Sequence, residues 1–160
     1  MPNTIKVVII DDEPGNIVTI SELLKEYCPE LMIAGTASNP LTGFDLVQAT
    51  RPYIVFLDIE MPFGNAFDFL DKFEQVDFEV IFITAFSNYA LKAIKYDALD
   101  YILKPVDINE LKLAVTKAMK RLEDKNKNSR IASILNILDG ESKEIQKIGL
   151  TSIDGFHIEE

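Results

Sequence analysis

Residues 53–62 are Tyr-Ile-Val-Phe-Leu-Asp-Ile-Glu-Met-Pro, and the rest of the chain is organised around this stretch. Four consecutive apolar residues before Asp58 indicate a strand that is buried on both faces, as in parallel sheets. A buried parallel strand that ends on an acid presents it at the carboxyl edge of the sheet, where open α/β sheets place their ligand sites. Taken alone, Asp58 would be better explained as an ordinary turn residue.

Strand and helix patterns alternate five times along the first part of the chain. Compact apolar runs predict strands at residues 5–10, 31–37, 53–57, 79–84 and 100–103. Apolar residues at helical spacing predict a helix after each strand. We expect the first over residues 14–28, the fourth capped by Asn88, and the fifth over residues 108–124. This alternation predicts an α/β fold, a flavodoxin-like doubly wound parallel sheet of order 2-1-3-4-5 with helices on both faces.

The character of the sequence changes after residue 124. Residues 125–144 are predicted to form a linker, although the apolar residues between 131 and 138 could make a short helix. Residues 145–150 and 156–158 have the pattern of two strands, and two strands cannot build a core of their own. We therefore expect residues 1–124 to form one domain and residues 145–160 to begin a second domain that the sequence cuts.

Composition excludes several classes of function. The chain has 26 acidic and 16 basic residues, so this segment is a poor candidate for binding nucleic acid by itself. Cys28 is the single cysteine, which excludes an internal disulfide and fits a reducing compartment. His157 is the single histidine, so a catalytic triad or a multi-histidine metal site is hard to assemble. Neither a signal peptide nor a membrane span is indicated, and we expect a cytoplasmic protein without membrane contact.

Chemically active side chains stand at the ends of four predicted strands. They are, in chain order, Asp11 and Asp12, Asp58, Thr84 and Lys104. Carboxylates that converge repel one another unless a cation is bound or their pKa values rise. Oxygen ligands without histidine or cysteine favour Mg²⁺. A lysine and a hydroxyl supply what phosphoryl oxygens require, so the set predicts phosphoryl transfer onto a carboxylate.

Each of these residues also has an ordinary explanation. Lys104 could simply neutralise the acids, and Thr84 could be an unremarkable strand end. Each explanation is sufficient for one residue. An acid pair, an acid, a hydroxyl and a lysine at successive strand ends in this order would together be a rare coincidence.

Four motifs carry a resemblance to a known family. These are Asp11-Asp12, residues 58–62 (Asp-Ile-Glu-Met-Pro), Thr84-Ala85 and Lys104-Pro105. The chain resembles, over roughly residues 4–122, the receiver domain of bacterial two-component response regulators. The resemblance implies a protein that accepts a phosphoryl group from a sensor histidine kinase. It catalyses only its own phosphorylation and dephosphorylation, and is not an enzyme for other substrates.

The resemblance also implies a role for each site residue. Asp58 would be the phosphoacceptor. Mg²⁺ would be bound by Asp12, Asp58 and the backbone carbonyl of Glu60, with Asp11 acting mainly through bound water. Lys104 would contact the phosphoryl oxygens, and its bond to the following proline is expected to be cis.

Further residues are assigned to switching. Thr84 would move toward the phosphoryl group and Tyr101 would change rotamer with it, although Tyr101 is equally well explained as a half-buried aromatic with a solvated hydroxyl. The surface of the fourth and fifth helices would then be the output face and a possible homodimer contact. Glu60 and Phe86 flank the phosphorylation site, where we expect them to influence how fast water attacks the acyl phosphate.

A second resemblance concerns the output. Residues 86–94 and 98–107 are similar to receivers joined to LytTR-type DNA-binding domains, and residues 147–156 resemble the opening strands of such a domain. This implies a transcriptional regulator that contacts DNA through a domain outside this chain.

Two rival functions remain open from the residues. One is a phosphohydrolase with Asp58 as nucleophile and Glu60 as general acid, but such enzymes carry the nucleophile on the first strand, where this chain has its acid pair. The other is a receiver-like module that only makes protein contacts and is never phosphorylated. The complete acid, threonine and lysine set argues against it.

Overall fold

The computed structural model describes residues 4–141. Its strands are β1 (Ile5–Ile10), β2 (Leu31–Ala37), β3 (Ile54–Leu57), β4 (Glu79–Thr84) and β5 (Asp100–Leu103). Its helices are α1 (Pro14–Tyr27), α2 (Pro40–Thr50), α3 (Ala66–Asp71), α4 (Ala90–Lys95) and α5 (Ile108–Glu141). The chain divides into two units, Met1–Met119 and Lys120–Glu160, and all five strands belong to the first.

The five strands form one parallel sheet of order β2-β1-β3-β4-β5, which confirms the predicted fold and strand order. The central strand β3 is buried along its whole length, as its unbroken apolar run predicts. Ile10 of β1 stands beside Leu57 of β3, so both strands end at the same level. The residues that follow them are thereby brought to one edge of the sheet.

The core lies in two layers, one on each face of the sheet, because successive side chains of a strand point to opposite faces. Val7 and Ile9 of β1 pack into the layer that contains the buried residues of α1 and α5. Val8 and Ile10 pack into the layer that contains those of α2 and α3. Within the described residues, helices therefore cover the sheet on both faces.

Helix α2 approaches the sheet closely at Gly43. A methyl group built on this glycine would lie 2.9 Å from the Cδ1 atom of Ile10 and 3.4 Å from the Cε1 atom of Phe69. Both of those side chains are fully buried. The absence of a side chain at Gly43 thus sets the distance between α2 and β1.

Helix α4 differs from its prediction. Its N-cap is Tyr89 rather than Asn88, and no side chain makes a capping hydrogen bond there. The side chain of an asparagine N-cap would accept a hydrogen bond from an amide of the first turn. Tyr89 makes no such bond, and its backbone is not in the extended conformation usual at an N-cap. Ala93 is the buried residue of this six-residue helix, whereas Leu91 and Ile94 are largely exposed. Helix α4 consequently contributes little to the core.

Helix α5 does not end at residue 124, as the sequence suggested, but continues to Glu141. Residues 125–130 contain no proline or glycine, and their lysines and arginine are good helix formers, so nothing terminates the helix there. The division into a domain of residues 1–124 and a linker of residues 125–144 stays a prediction. The strands expected at residues 145–150 and 156–158 lie outside the described residues. Among the described helices, none combines the length and apolarity needed to cross a bilayer.

Candidate functional site

Backbone hydrogen bonds fix the residues that follow the strands. The amide of Asp11 donates to the carbonyl of Ala37 at 3.0 Å, and the amide of Asp58 donates to the carbonyl of Ile10 at 2.9 Å. The amide of Lys104 likewise donates to the carbonyl of Thr84 at 2.8 Å. The hydrogen bonds of the sheet therefore continue one residue past these strands. Asp11, Asp58 and Lys104 thus project from backbone that is fixed by the sheet.

Lys104 joins two of the predicted acids. Its ammonium donates to Asp11 Oδ2 at 2.9 Å and to Asp58 Oδ2 at 3.0 Å. Burial lowers the pKa of Lys104, but the hydrogen bonds and charges of both carboxylates outweigh it, so the pKa of the ammonium is raised above its usual value. The bond from Lys104 to Pro105 is cis, as expected from the resemblance.

Asp58 is the most constrained carboxylate of the site. Its side chain is buried, with one oxygen accepting from Lys104 and the other accepting from the amide of Ile59 at 2.7 Å. Burial raises the pKa of Asp58; Lys104 lowers it, the charge of Asp11 raises it again, and the Thr84 hydroxyl lowers it. The net pKa lies above the usual value of an aspartate. The carboxylate is thus held at an energetic cost that a further cation would relieve.

Three carboxylates meet at this edge. One oxygen each from Asp11, Asp12 and Asp58 lies within 4.8 Å of the others. Within residues 4–141 the carboxylate of Asp12, which is partly exposed, has no hydrogen-bonding or ionic partner. An all-oxygen set with one free, accessible carboxylate matches the ligand preference of Mg²⁺. The residues therefore fit the metal that the sequence predicted.

The start of α1 holds Asp11 in place. The amide of Glu13 donates to Asp11 Oδ1 at 2.9 Å, and the Asn16 side chain donates to Glu13 at 3.0 Å and, at 3.5 Å, to the same oxygen of Asp11. Since Lys104 takes the other oxygen, both oxygens of Asp11 are engaged. Asp11 is consequently less available for direct metal binding than Asp12, and its role through water stays a prediction. Asn16 was not predicted as a site residue, and its only signal in the sequence is its position one turn after the acids.

The two residues assigned to switching border the cluster, and the Thr84 hydroxyl interacts with the Asp58 carboxylate. Thr84 is fully buried, and its hydroxyl accepts a hydrogen bond of 3.3 Å from the amide of Phe86. Tyr101 is half-buried, packs its ring 5.9 Å from that of Phe82, and donates its hydroxyl to the carbonyl of Phe86. Both residues therefore contact the same segment between β4 and α4.

The side chain of Glu60 is not part of the three-acid cluster and is bound by a tyrosine instead. Its Oε2 atom accepts a hydrogen bond of 2.6 Å from the hydroxyl of Tyr89, which immediately precedes α4. Sequence reasoning did not identify Tyr89 as a site residue. The available signal was weak: a tyrosine five residues after Thr84, in the loop at the same sheet edge.

Comparison with known proteins agrees with this geometry. Residues 7–116 match the family model of the response regulator receiver domain. The chain is 38% identical over 120 residues to the transcriptional regulatory protein BtsR of Escherichia coli strain K12, covering 74% of this chain and 49% of BtsR. It is 33% identical over 118 residues to the sensory transduction protein LytT of Bacillus subtilis strain 168, covering 72% of this chain and 48% of LytT. The chain thus spans about half the length of the curated relatives that it matches.

Solved structures show the same likeness. The receiver domain of AraT, a response regulator from Geobacillus stearothermophilus, superposes with a TM-score of 0.69 at 26% identity, covering 77% of this chain and 98% of AraT's. The response regulatory domain of protein mrkE from Klebsiella pneumoniae gives a TM-score of 0.68 at 26% identity, covering 74% and 98%. Because the family model covers more than half of the sequence, and because the fold and the acid cluster agree with it, this chain belongs to the receiver domains of two-component response regulators.

Proposed function

We propose that Asp58 accepts a phosphoryl group from the phosphohistidine of a sensor histidine kinase. The observation that supports this most directly is the placement of the buried Asp58 carboxylate, which shares one cluster with Asp11 and Asp12 and accepts from Lys104 at 3.0 Å. Receivers as a family take their phosphoryl group from such kinases. The kinase itself and its stimulus belong to the part of the system outside this chain.

The transfer exchanges one bond to phosphorus for another. An oxygen of Asp58 forms a bond to phosphorus while the bond between phosphorus and the histidine nitrogen breaks, and the nitrogen keeps the bonding electron pair. Lys104 then moves its hydrogen bond from Asp58 to the phosphoryl oxygens while it keeps Asp11. When bound, Mg²⁺ offsets the charge of the acids and of the phosphoryl oxygens. Asp12, Asp58 and the backbone carbonyl of Glu60 would hold it, with Asp11 acting through water.

The phosphoryl group acts on the segment between β4 and α4. It adds nearly two negative charges and three acceptor oxygens, which favour any state in which the Thr84 hydroxyl donates to it. A movement of Thr84 toward the phosphoryl group would shift the hydroxyl that now accepts from the Phe86 amide, and the Phe86 carbonyl accepts from the hydroxyl of Tyr101. The shared contact at Phe86 links Thr84 and Tyr101 as one switch.

The output is proposed from the relatives and from the second resemblance. BtsR is a transcriptional regulatory protein and LytT a sensory transduction protein, each about twice as long as the matched region. We therefore assign this receiver to a cytoplasmic transcriptional regulator with a LytTR-type DNA-binding domain that begins in residues 145–160. A homodimer through α4 and α5 would cover the exposed Leu91, Ile94 and Leu113. Sedimentation with and without phosphorylation tests that dimer.

Acetyl phosphate tests the central proposal. The protein is incubated with acetyl phosphate and Mg²⁺, and its intact mass is measured. We expect a gain of one phosphoryl group that is lost in Asp58→Asn and kept in Asp45→Asn, an exposed aspartate of α2. An unchanged mass in the wild type would refute phosphorylation and favour a module that only makes protein contacts.

A second measurement separates the receiver from a phosphohydrolase. We propose that the protein catalyses only its own phosphorylation and dephosphorylation. Para-nitrophenyl phosphate should therefore not be turned over in the presence of Mg²⁺. Multiple turnovers that disappear in Asp58→Asn would instead support the hydrolase.

A further inference from the structure

Helix α4 is held at both ends by tyrosines rather than by its own apolar residues. Tyr89 is its N-cap residue and Tyr96 its C-cap residue. The hydroxyl of Tyr89 donates to Glu60 at 2.6 Å, and the hydroxyl of Tyr96 donates to Asp71 at 2.9 Å. Ala93 is the buried residue of the helix, and the two tyrosines add side-chain hydrogen bonds to the neighbouring loop and to α3.

The two tyrosine rings share one packing partner. The ring of Phe67 lies 6.1 Å from that of Tyr89 and 4.9 Å from that of Tyr96, and the ammonium of Lys92 lies 4.7 Å from the centre of the Phe67 ring. The rings would therefore keep their places if either hydroxyl were removed. What each hydroxyl adds is a fixed position for the carboxylate that it binds.

The two carboxylates differ in their relation to the phosphorylation site. Glu60 is two residues after Asp58, and Tyr89 is five residues after Thr84. The hydrogen bond between Glu60 and Tyr89 thus joins the loops that leave β3 and β4 at the reactive edge of the sheet. Asp71, by contrast, is the last residue of α3 and is not in a loop that directly follows β3 or β4.

A carboxylate at this position matters most during loss of the phosphoryl group. In hydrolysis, a water oxygen bonds to phosphorus while the bond from phosphorus to Asp58 breaks, and Asp58 keeps the electron pair. The water gives up a proton, and inorganic phosphate leaves. A free glutamate next to the site can orient the water and accept that proton. The Tyr89 hydroxyl occupies one oxygen of the Glu60 carboxylate and fixes its direction, so this carboxylate is less able to do either.

We infer that Tyr89 is a positioning residue that holds the Glu60 carboxylate away from the attacking water and so prolongs the life of the phosphoryl group on Asp58. The inference rests on the proposed function, because it concerns the same aspartyl phosphate. It gives Tyr89 a role in the timing of the signal, through Glu60. Tyr89 itself does not touch the reacting atoms and is not a catalytic residue.

The test compares Tyr89, whose hydroxyl binds Glu60, with Tyr96, whose hydroxyl binds Asp71. The full chain is phosphorylated with acetyl phosphate and Mg²⁺, the donor is removed, and the decay of the phosphorylated mass is followed. We expect Tyr89→Phe to shorten the half-life by a factor of about three or more, since it frees a general base. Tyr96→Phe loses the equivalent hydroxyl at the other end of α4, and its half-life should match that of the wild type. An unchanged or longer half-life in Tyr89→Phe overturns the inference, as does an equal shortening in Tyr96→Phe.

A second background tests whether Tyr89 acts through Glu60. In Glu60→Ala the added effect of Tyr89→Phe should vanish, because no carboxylate is left to release. If Tyr89→Phe accelerates decay equally with and without Glu60, Tyr89 acts by another route and the inference fails.

A third measurement needs no phosphoryl group. The carboxyl ¹³C shift of Glu60 should change in Tyr89→Phe and stay constant in Tyr96→Phe, and an unchanged shift in Tyr89→Phe contradicts the inference. Failure of the inference is distinct from failure of the proposed function. If every variant forms the adduct and all half-lives agree, only the role of Tyr89 is refuted. If the wild type forms no adduct, both are refuted.

Discussion

The ammonium of Lys104 donates a 3.0 Å hydrogen bond to the same Asp58 carboxylate that the proposed function requires as nucleophile. It also binds Asp11, so one cation compensates two acids in the resting site. Without that ammonium, the cluster of three carboxylates would carry uncompensated charge in a buried place. Lys104 thus stabilises the cluster of acids, and a bound Mg²⁺ would share the Asp58 carboxylate with it.

Replacement of Lys104 should separate these two effects. In Lys104→Met we expect the free energy of unfolding without Mg²⁺ to fall by about 1–3 kcal/mol, because partly buried carboxylates lose their partner. The affinity for Mg²⁺ should rise, since no ammonium then shares the Asp58 carboxylate with the metal. Denaturant unfolding and calorimetric Mg²⁺ titration measure the two quantities. In the control Lys117→Met, which loses an ion pair to Asp100 at 3.1 Å with an exposed lysine, both should change little. A weaker Mg²⁺ affinity in Lys104→Met would contradict this expectation.

Neutralising Asp12 and neutralising Asp11 should have different effects on Mg²⁺ affinity and on the stability of the metal-free protein. Asp12 has no partner within residues 4–141, so Asp12→Asn should weaken Mg²⁺ binding by roughly tenfold or more without lowering the stability of the metal-free protein. Asp11 accepts from Lys104 and from the Glu13 amide, so Asp11→Asn should destabilise the metal-free protein by about 1–3 kcal/mol. Unfolding curves in EDTA and Mg²⁺ titrations distinguish the variants. Equal losses of stability would show that Asp12 has a structural partner after all.

Ionised Asp58 should reduce the stability of the metal-free protein. Burial raises its pKa in the folded state, so the folded protein binds a proton more tightly than the unfolded chain does. Stability therefore falls as the pH rises from the usual aspartate pKa of about 4 through the raised folded value. In EDTA at neutral pH, Asp58→Asn should be more stable than the wild type by on the order of 1 kcal/mol, and the gain should disappear at low pH. A variant that is less stable at neutral pH would mean that the Lys104 contact outweighs burial.

The sequence was sufficient for the sheet and the acid cluster because both depend on strong local signals. The unbroken apolar run before Asp58 specifies a strand buried on both faces, and the strand ends then bring Asp11, Thr84 and Lys104 to one edge. The pair of Glu60 and Tyr89 could not be predicted in this way. The contact is made by side-chain tips 29 positions apart, and no periodicity in the sequence records it.

The helices show the same limit. Helix α4 has apolar residues at helical spacing, but Leu91 and Ile94 are exposed rather than packed, so the spacing identified neither the buried face of the helix nor its first residue. Helix α5 was predicted to end at residue 124 because its apolar stripe fades there. The helix continues to Glu141 because no proline or glycine interrupts residues 125–130 and apolar residues at helical spacing follow between 131 and 138.

The domain boundary can be tested by truncation. Among the described residues, the two core layers contain none after Met119. A chain ending at residue 124 should therefore unfold with a midpoint within a few degrees of the longer chain and should still gain the phosphoryl group. Thermal unfolding and intact mass measure these. A loss of cooperative unfolding in the shorter chain would show that residues beyond 124 belong to the receiver.

Replacement of Gly43 and of Gly15 by alanine should change the free energy of unfolding in opposite directions, because of the two only Gly43 lies close to other side chains. In Gly43→Ala the added methyl group would lie 2.9 Å from Ile10, a fully buried side chain with little room to move, so we expect a loss of about 1–3 kcal/mol. In Gly15→Ala, in the first turn of α1, no heavy atom lies within 4 Å of the new methyl group. Better helix propensity should then add up to about 1 kcal/mol. Urea unfolding of both variants provides the comparison. A neutral Gly43→Ala would mean that α2 shifts outward, and a reduced rate of phosphorylation in that variant would show that the shift reaches Asp58.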